Sequence, residues 1–166
     1  MNQEIKIKFN YRVSKISTFI FNVFELPENE VSELFAEVGL IGLQVNTTIN
    51  IPSDAKSIRI DILSEISKKA SNELLIAHKG STIFAVDNLQ DFFIPENNSY
   101  NLPSNVLVQL FSLAYTHARA LIAIEISPTV YKDKFFLPIV DPNAMIKSFL
   151  KNDSEVELKK SEPLSE

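Results

Sequence analysis

Cysteine is absent from the 166 residues, which excludes disulfides, thiolate nucleophiles and thiolate metal sites, and suits a reducing compartment. Glycine is scarce: Gly39, Gly42 and Gly80 are the only three. Phosphate-binding loops and dinucleotide fingerprints need closely spaced glycines between a strand and a helix, so nucleotide binding through those motifs is excluded. His78 and His117 are the only histidines, and neither belongs to a His-x-x-x-His spacing that would suggest a metal site. Basic residues, 16 against 21 acidic, are dispersed and the net charge is −5. Nucleic-acid binding needs a clustered basic footprint, so no nucleic-acid partner is expected. Asp61 and Glu65 read as solvated surface acids. With no catalytic constellation and no cofactor motif, the expectation is a protein that is not an enzyme and holds no cofactor or metal.

Residues 1–9 alternate charged and apolar side chains and lack the basic segment followed by an apolar run of a signal peptide, so a cytoplasmic location is expected. One segment, Val106 to Ile126, is long enough to span a bilayer, but it contains Gln109, His117, Arg119 and Glu125. A central Arg alone costs about 2.5–3.5 kcal/mol on insertion scales. A soluble, buried helix and no membrane insertion are expected.

What the chain has in quantity is apolar surface: 45% of residues are hydrophobic and Phe occurs 12 times, enough for a single core with some left for an interface. Residues 1–152 are expected to form one domain and 153–166, rich in Ser, Glu and Lys, a disordered tail. Ile5, Ile7, Phe9, Tyr11 and Val13 alternate as in a half-buried strand, and the register slips near Lys15 before Ser17, Phe19, Phe21 and Val23 resume it, predicting one long strand with a bulge. Pro27, Glu28 and Glu30 open a short helix on which Val31, Leu34, Phe35 and Val38 form a stripe, with Gly39 as its stop. Strands follow at Leu43–Ile51, Ile58–Ile62 and Glu73–Val86, the last holding Gly80, which suggests a bulge or bend. Short turns between them make the sheet antiparallel.

Ile94 to Pro103 reads as a loop, and a long helix follows. Its positions 106, 110, 113, 117, 121 and 124 form one stripe and 107, 111, 114, 118 and 122 a second, so it must be covered on two sides. Arg119 on such a helix needs a partner from the sheet, a loop or another subunit, because Glu125 is too far along for three- or four-residue pairing. Asp141 as N-cap and Pro142 at the first helical position predict a short second helix through Met145, Ile146 and Phe149.

This order of elements, with Thr82-Ile83-Phe84-Ala85-Val86 on the fourth strand, Ala118-Arg119 on the long helix and Pro138-Ile139-Val140 after it, resembles the SecB export-chaperone family. That family carries Gly-Ile-Phe-x-Ile on its fourth strand, Tyr-Ala-Arg on its long helix, and Pro-Pro-Val at the same distance after the Arg. The chain resembles a divergent member: Thr82 stands for the glycine, the connection after the first strand carries an extra helix, and Lys15 to Ile20 lack the acids around the family's Ile-Ser-Phe core. The resemblance implies a SecB-like α+β fold, a four-stranded antiparallel sheet with a long helix and a short C-terminal helix. It also implies a homotetramer, a dimer of dimers, that acts as an ATP-independent holdase for unfolded or precursor polypeptides. Client-binding residues expected from it are Phe21, Phe24, Leu34, Phe35, Val38, Phe135, Phe136 and Leu137. Oligomer-interface residues are Leu107, Phe111, Ala118 and Ile122, and structural residues are Arg119 and Pro138. Loss of the first-strand acids implies weak or absent binding to the translocation ATPase SecA. The alternative is an adaptor of the same fold serving one partner, such as an antitoxin.

Overall fold

The computed structural model of the chain describes residues 8–147 and 155–159. Four long strands, β1 (Tyr11–Val23), β2 (Ile41–Asn50), β3 (Ser57–Lys68) and β4 (Leu74–Val86), form an antiparallel sheet in the order β1-β4-β3-β2. Directly paired residues share a face. Ile58, Ile60, Ile62, Ser64 and Ile66 of β3 therefore point the same way as His78, Gly80, Thr82, Phe84 and Val86 of β4, and all of them are buried. This is the inner face. Helix α1 (Glu28–Ala36) lies between β1 and β2, and the long helix α2 (Ser104–Ile126) packs across the inner face. The short α3 (Pro142–Ile146) begins as expected, with Asp141 accepting from the Asn143 backbone N–H at 3.0 Å. The fold is thus α+β, with the sheet, the long helix and the short C-terminal helix expected from the sequence; Phe149 lies outside the described residues.

β1 slips register twice, between Val13 and Lys15 and between Thr18 and Ile20. The first irregularity falls where the sequence pattern breaks. The second turns two consecutive apolar residues to one side: Ile20 pairs with Lys79 on the outer face, and the Phe19 ring lies under the Arg59 guanidinium at 4.7 Å. Thr18, placed by regular alternation after the first slip, is on the inner face, 3.5 Å from His78 Nε2, and not beside Lys15 on the outer one.

Gly80 has a different role from the one expected. β4 runs past it in continuous register with β3, without a bulge. A Cβ at Gly80 would stand 3.0 Å from the Ala118 Cβ and 3.1 Å from its Cα, so two residues without bulk allow α2 to sit directly on the sheet. That seat decides which stripe of α2 is buried: Leu107, Leu110, Phe111, Ala114, Ala118 and Ile122 all face the sheet. Each large side chain among them contributes about 1.5–3 kcal/mol of burial.

Two further corrections concern the ends of α2. The stretch from Ile94 to Pro103 is not a loop but holds β5 (Phe93–Ile94), a single 3-10 turn and β6 (Ser99–Pro103), which pair antiparallel. The expected tail contributes a strand as well: β7 (Glu155–Lys159) pairs with β6, and Leu158 is buried in the main core with Tyr100 and Leu102. Residues 153, 154 and 160–166 lie outside the described residues. This second, three-stranded sheet covers the α2 N-terminal half, where Val106, Leu107, Leu110 and Phe111 complete the same core.

Candidate functional site

A second apolar cluster forms at the other end of α2. Val31 of α1, Ile66 of β3, Leu75 and Ile76 of β4, and Ile122 and Ile126 of α2 meet Tyr131 and Leu137 of the loop between α2 and α3. Phe21, Val23, Leu34, Phe35, Ile41 and Phe135 pack against it half-buried. The chain leaves this cluster through apolar neighbours. Phe24 follows Val23, Leu40 precedes Ile41, Leu74 precedes Leu75, and Phe136 stands between Phe135 and Leu137; all four are exposed, Phe136 to 64% and Phe24 to 55%. Val38 and Ile139 are more exposed still. Scattered single apolar residues on a surface are ordinary, but exposed Phe24, Leu40 and Phe136, each next to a residue of one cluster, make a rim suited to binding, whereas Leu74 pairs with Ser67 and faces the other side of the sheet.

Hydrogen bonds fix the loop side of this rim. Arg119 donates from Nε to the Leu137 carbonyl at 2.9 Å, and the Tyr115 hydroxyl donates to the Pro138 carbonyl at 3.0 Å. The partner that Arg119 requires is thus the loop, and the bond holds Leu137 inward while Phe136 points out. The Tyr131 hydroxyl donates to the Phe24 carbonyl at 2.6 Å, tying the loop to the end of β1. Burial raises the Tyr131 and Tyr115 hydroxyls above their ordinary pKa, so both stay protonated donors. On the α1 side, Lys68 Nζ lies 2.7 Å from Glu30 and 3.0 Å from Glu73, and these bonds raise its pKa.

No protein-family model matches the chain, and no curated protein matches it. Among solved structures it is similar to a SecB-like chaperone of Mycobacterium tuberculosis in complex with a ChAD peptide from the HigA1 antitoxin. The identity is 10% and the TM-score 0.46, over 78% of this chain and 89% of that one. At that identity the match assigns no residue of this chain.

Of the residues expected to bind clients, Phe21, Leu34, Phe35, Phe135 and Leu137 come together in the second cluster, and Phe24, Val38 and Phe136 stand at or beside its rim. Leu137 is 1% exposed and is a core residue, because the Arg119 bond turns it inward. Leu40, Leu74 and Ile139 join the exposed set. Leu40 and Leu74 each stand beside an inward-facing apolar residue, a doublet pattern visible in the sequence. The residues expected at an oligomer interface, Leu107, Phe111, Ala118 and Ile122, are instead spent on the chain's own sheet, since the Gly80–Ala118 contact selects their stripe. The opposite side of α2 leaves Leu113 and Ile124 exposed, the latter to 68%. Val13 and Ile16, on the inner face of the edge strand β1, are also partly uncovered.

Asp61 corrects another expectation. It is buried, not solvated, with Arg59 Nε at 2.8 Å and Lys79 Nζ at 3.5 Å, and Phe19 covers both cations. His78 is fully buried among the inner-face residues, and desolvation lowers its pKa from 6.5 to about 4 against a small opposing pull from Glu125. It is neutral at pH 7. Burial likewise lowers His117, whose Nδ1 meets the Thr82 hydroxyl at 3.2 Å. Among the described residues no cluster of His, Asp and Glu could hold a metal ion.

Proposed function

We propose that this chain is a SecB-like molecular chaperone, an ATP-independent holdase that takes unfolded polypeptides on the apolar rim of the second cluster. The observation that carries this is the set of exposed Phe24, Val38, Leu40 and Phe136 beside one cluster. Such a surface binds by many weak apolar contacts and reads no sequence, so clients are recognised by being unfolded. No chemistry is needed and none is assigned. Suppression of aggregation of a denatured, unrelated protein without ATP tests the reading. Phe24→Asp and Phe136→Asp should each weaken suppression severalfold while leaving the far-ultraviolet spectrum unchanged, since both side chains are mostly exposed and a carboxylate is costly only when a client buries it. Equal suppression by both variants places the client elsewhere. Phe35→Asp is a poorer test, because Phe35 is half-buried and its ring centroid lies 6.0 Å from that of Tyr131.

The assembly proposed with it is a tetramer, a dimer of dimers, in which further copies cover Leu113 and Ile124 of α2 together with Val13 and Ile16 of β1. Light scattering reads the mass directly, and a stable monomer at micromolar concentration contradicts it. Lys15 stands where the family's acids attract SecA, on the same outer face of the sheet as Arg59 and Lys79, so SecA binding is proposed to be weak. Salt-sensitive binding to SecA at micromolar affinity would overturn that.

A further inference from the structure

We propose that the apolar bed under α1 is itself a binding site for a short amphipathic segment of a client, and that α1 is its resident occupant, displaced when the client enters. The inference rests on the holdase reading and adds to it which surface opens and what fits there.

α1 is built to be released. It has nine residues, fewer than the roughly 12–15 an isolated helix needs to be even marginally stable. Its N-cap is Pro27, which offers no side-chain acceptor to the free N–H groups. Its C-cap is Glu37, a carboxylate at the negative end of the helix dipole, and no basic residue stands in the last turn. Gly39, just beyond, is in the left-handed region at φ 103° and can swivel the chain. What holds α1 down is small: Val31 is its one fully buried residue, Leu34 and Phe35 are half-buried, and Glu30 reaches Lys68 through a partly exposed ion pair.

The bed does not depend on α1. Ile66, Leu75, Ile126, Tyr131 and Leu137 come from β3, β4, α2 and the following loop: β3 and β4 pair with each other, α2 packs on both, and the Arg119–Leu137 and Tyr131–Phe24 bonds tie the loop to α2 and to the end of β1. Lifting α1 therefore leaves a formed apolar surface with Lys68 at its edge. α1 also shows what that surface accepts: apolar side chains at positions i, i+3 and i+4, as in Val31, Leu34 and Phe35, preceded by a carboxylate that meets Lys68. A client segment of that pattern replaces α1 contact for contact.

Because the chain has no cysteine, Glu30→Cys and Lys68→Cys can be introduced as its only thiols and joined by a short bismaleimide. Two fluorescent ligands are used: an unfolded client protein, and a synthetic peptide of residues 26–39. The open double variant is the reference, because in it α1 and the incoming carboxylate have lost the same Lys68 contact. Closing the cross-link should weaken both by tenfold or more. A closed form that binds as well as the open one overturns the role of α1 alone, whereas a native chain that binds no unfolded client overturns the holdase reading beneath it. A cross-link that forms only between two molecules assigns the bed to α1 of a second copy and overturns the proposal. Hydrogen exchange on the native chain gives a check free of substitution. The α1 amides should exchange by local opening well ahead of those of β3 and β4, and still faster with client bound; α1 amides as protected as the sheet contradict release.

Discussion

Replacing Arg119 with Met tests how the loop between α2 and α3 is held, because Met keeps the apolar stem and removes only the guanidinium. In the native chain Arg119 Nε donates to the Leu137 carbonyl at 2.9 Å, and Leu137 is 1% exposed, so water cannot readily replace the lost donor. A hydrogen bond from a charged group contributes about 1.5–3 kcal/mol. For a domain of this size each kcal/mol moves the midpoint of thermal unfolding by about 2–4 °C, so the variant should melt about 3–12 °C lower. Tyr115→Phe removes the neighbouring bond, 3.0 Å to the Pro138 carbonyl, from a neutral donor and should cost only about 0.5–1.5 kcal/mol. Both bonds pin one short loop, so the double variant should lose less than the two single losses combined, the second bond having little left to hold. Calorimetry at one fixed protein concentration gives all three values, the concentration being held because oligomerisation would shift the midpoint by mass action. An Arg119→Met midpoint equal to the native one would refute the reasoning, since the carbonyl would then have another donor and the outward turn of Phe136 another cause.

Two other perturbations follow from the buried polar groups. His78 has a pKa of about 4 when folded and 6.5 when unfolded, so the unfolded chain binds more protons between those values. Stability is complete above pH 6.5 and falls as the pH drops through the window, by about 3 kcal/mol in all at 1.36 kcal/mol per unit. His78→Leu should flatten denaturation midpoints between pH 6.5 and 4, and an unchanged pH profile would place the acid-labile group elsewhere. Asp61→Ala leaves Arg59 and Lys79 without their shared carboxylate, and urea denaturation should show a loss of about 3 kcal/mol, the lower end for breaking a buried ion pair because both cations keep some access to water. A loss under about 1 kcal/mol would mean the cluster behaves as an exposed one.

The sheet and long helix were legible because both rest on local periodicity: the alternation of Ile58, Ile60 and Ile62, and the stripes of the 104–126 segment. The Asp141-Pro142 cap was legible for the same reason, as a two-residue signal with one geometric meaning. β7 was not, since Glu-Val-Glu-Leu-Lys offers two apolar residues and becomes a strand only by adding to β6. Asp61 reads as an ordinary surface acid until a register slip four residues past Lys15 brings Phe19 over its two partners, an event set by pairing with β4 and not by the residues around Asp61. The oligomer-interface expectation failed through symmetry of the signal. Both stripes of α2 are apolar, and the choice between them is made by the Gly80–Ala118 contact across 38 positions of sequence. At the candidate site, the phenylalanines stood out by number, but which of Phe135, Phe136 and Leu137 faces outward depends on the Arg119 and Tyr115 hydrogen bonds.

The central claim is that the exposed rim recognises the unfolded state of a polypeptide. Calorimetric titration of the purified chain with one small disulfide protein in two forms tests it most directly: native, and permanently unfolded by reduction and alkylation. The account predicts binding of the unfolded form at micromolar affinity or tighter, without nucleotide and with a negative heat-capacity change from apolar burial, and no detectable binding of the native form. Equal binding of both forms, or of neither, would contradict it.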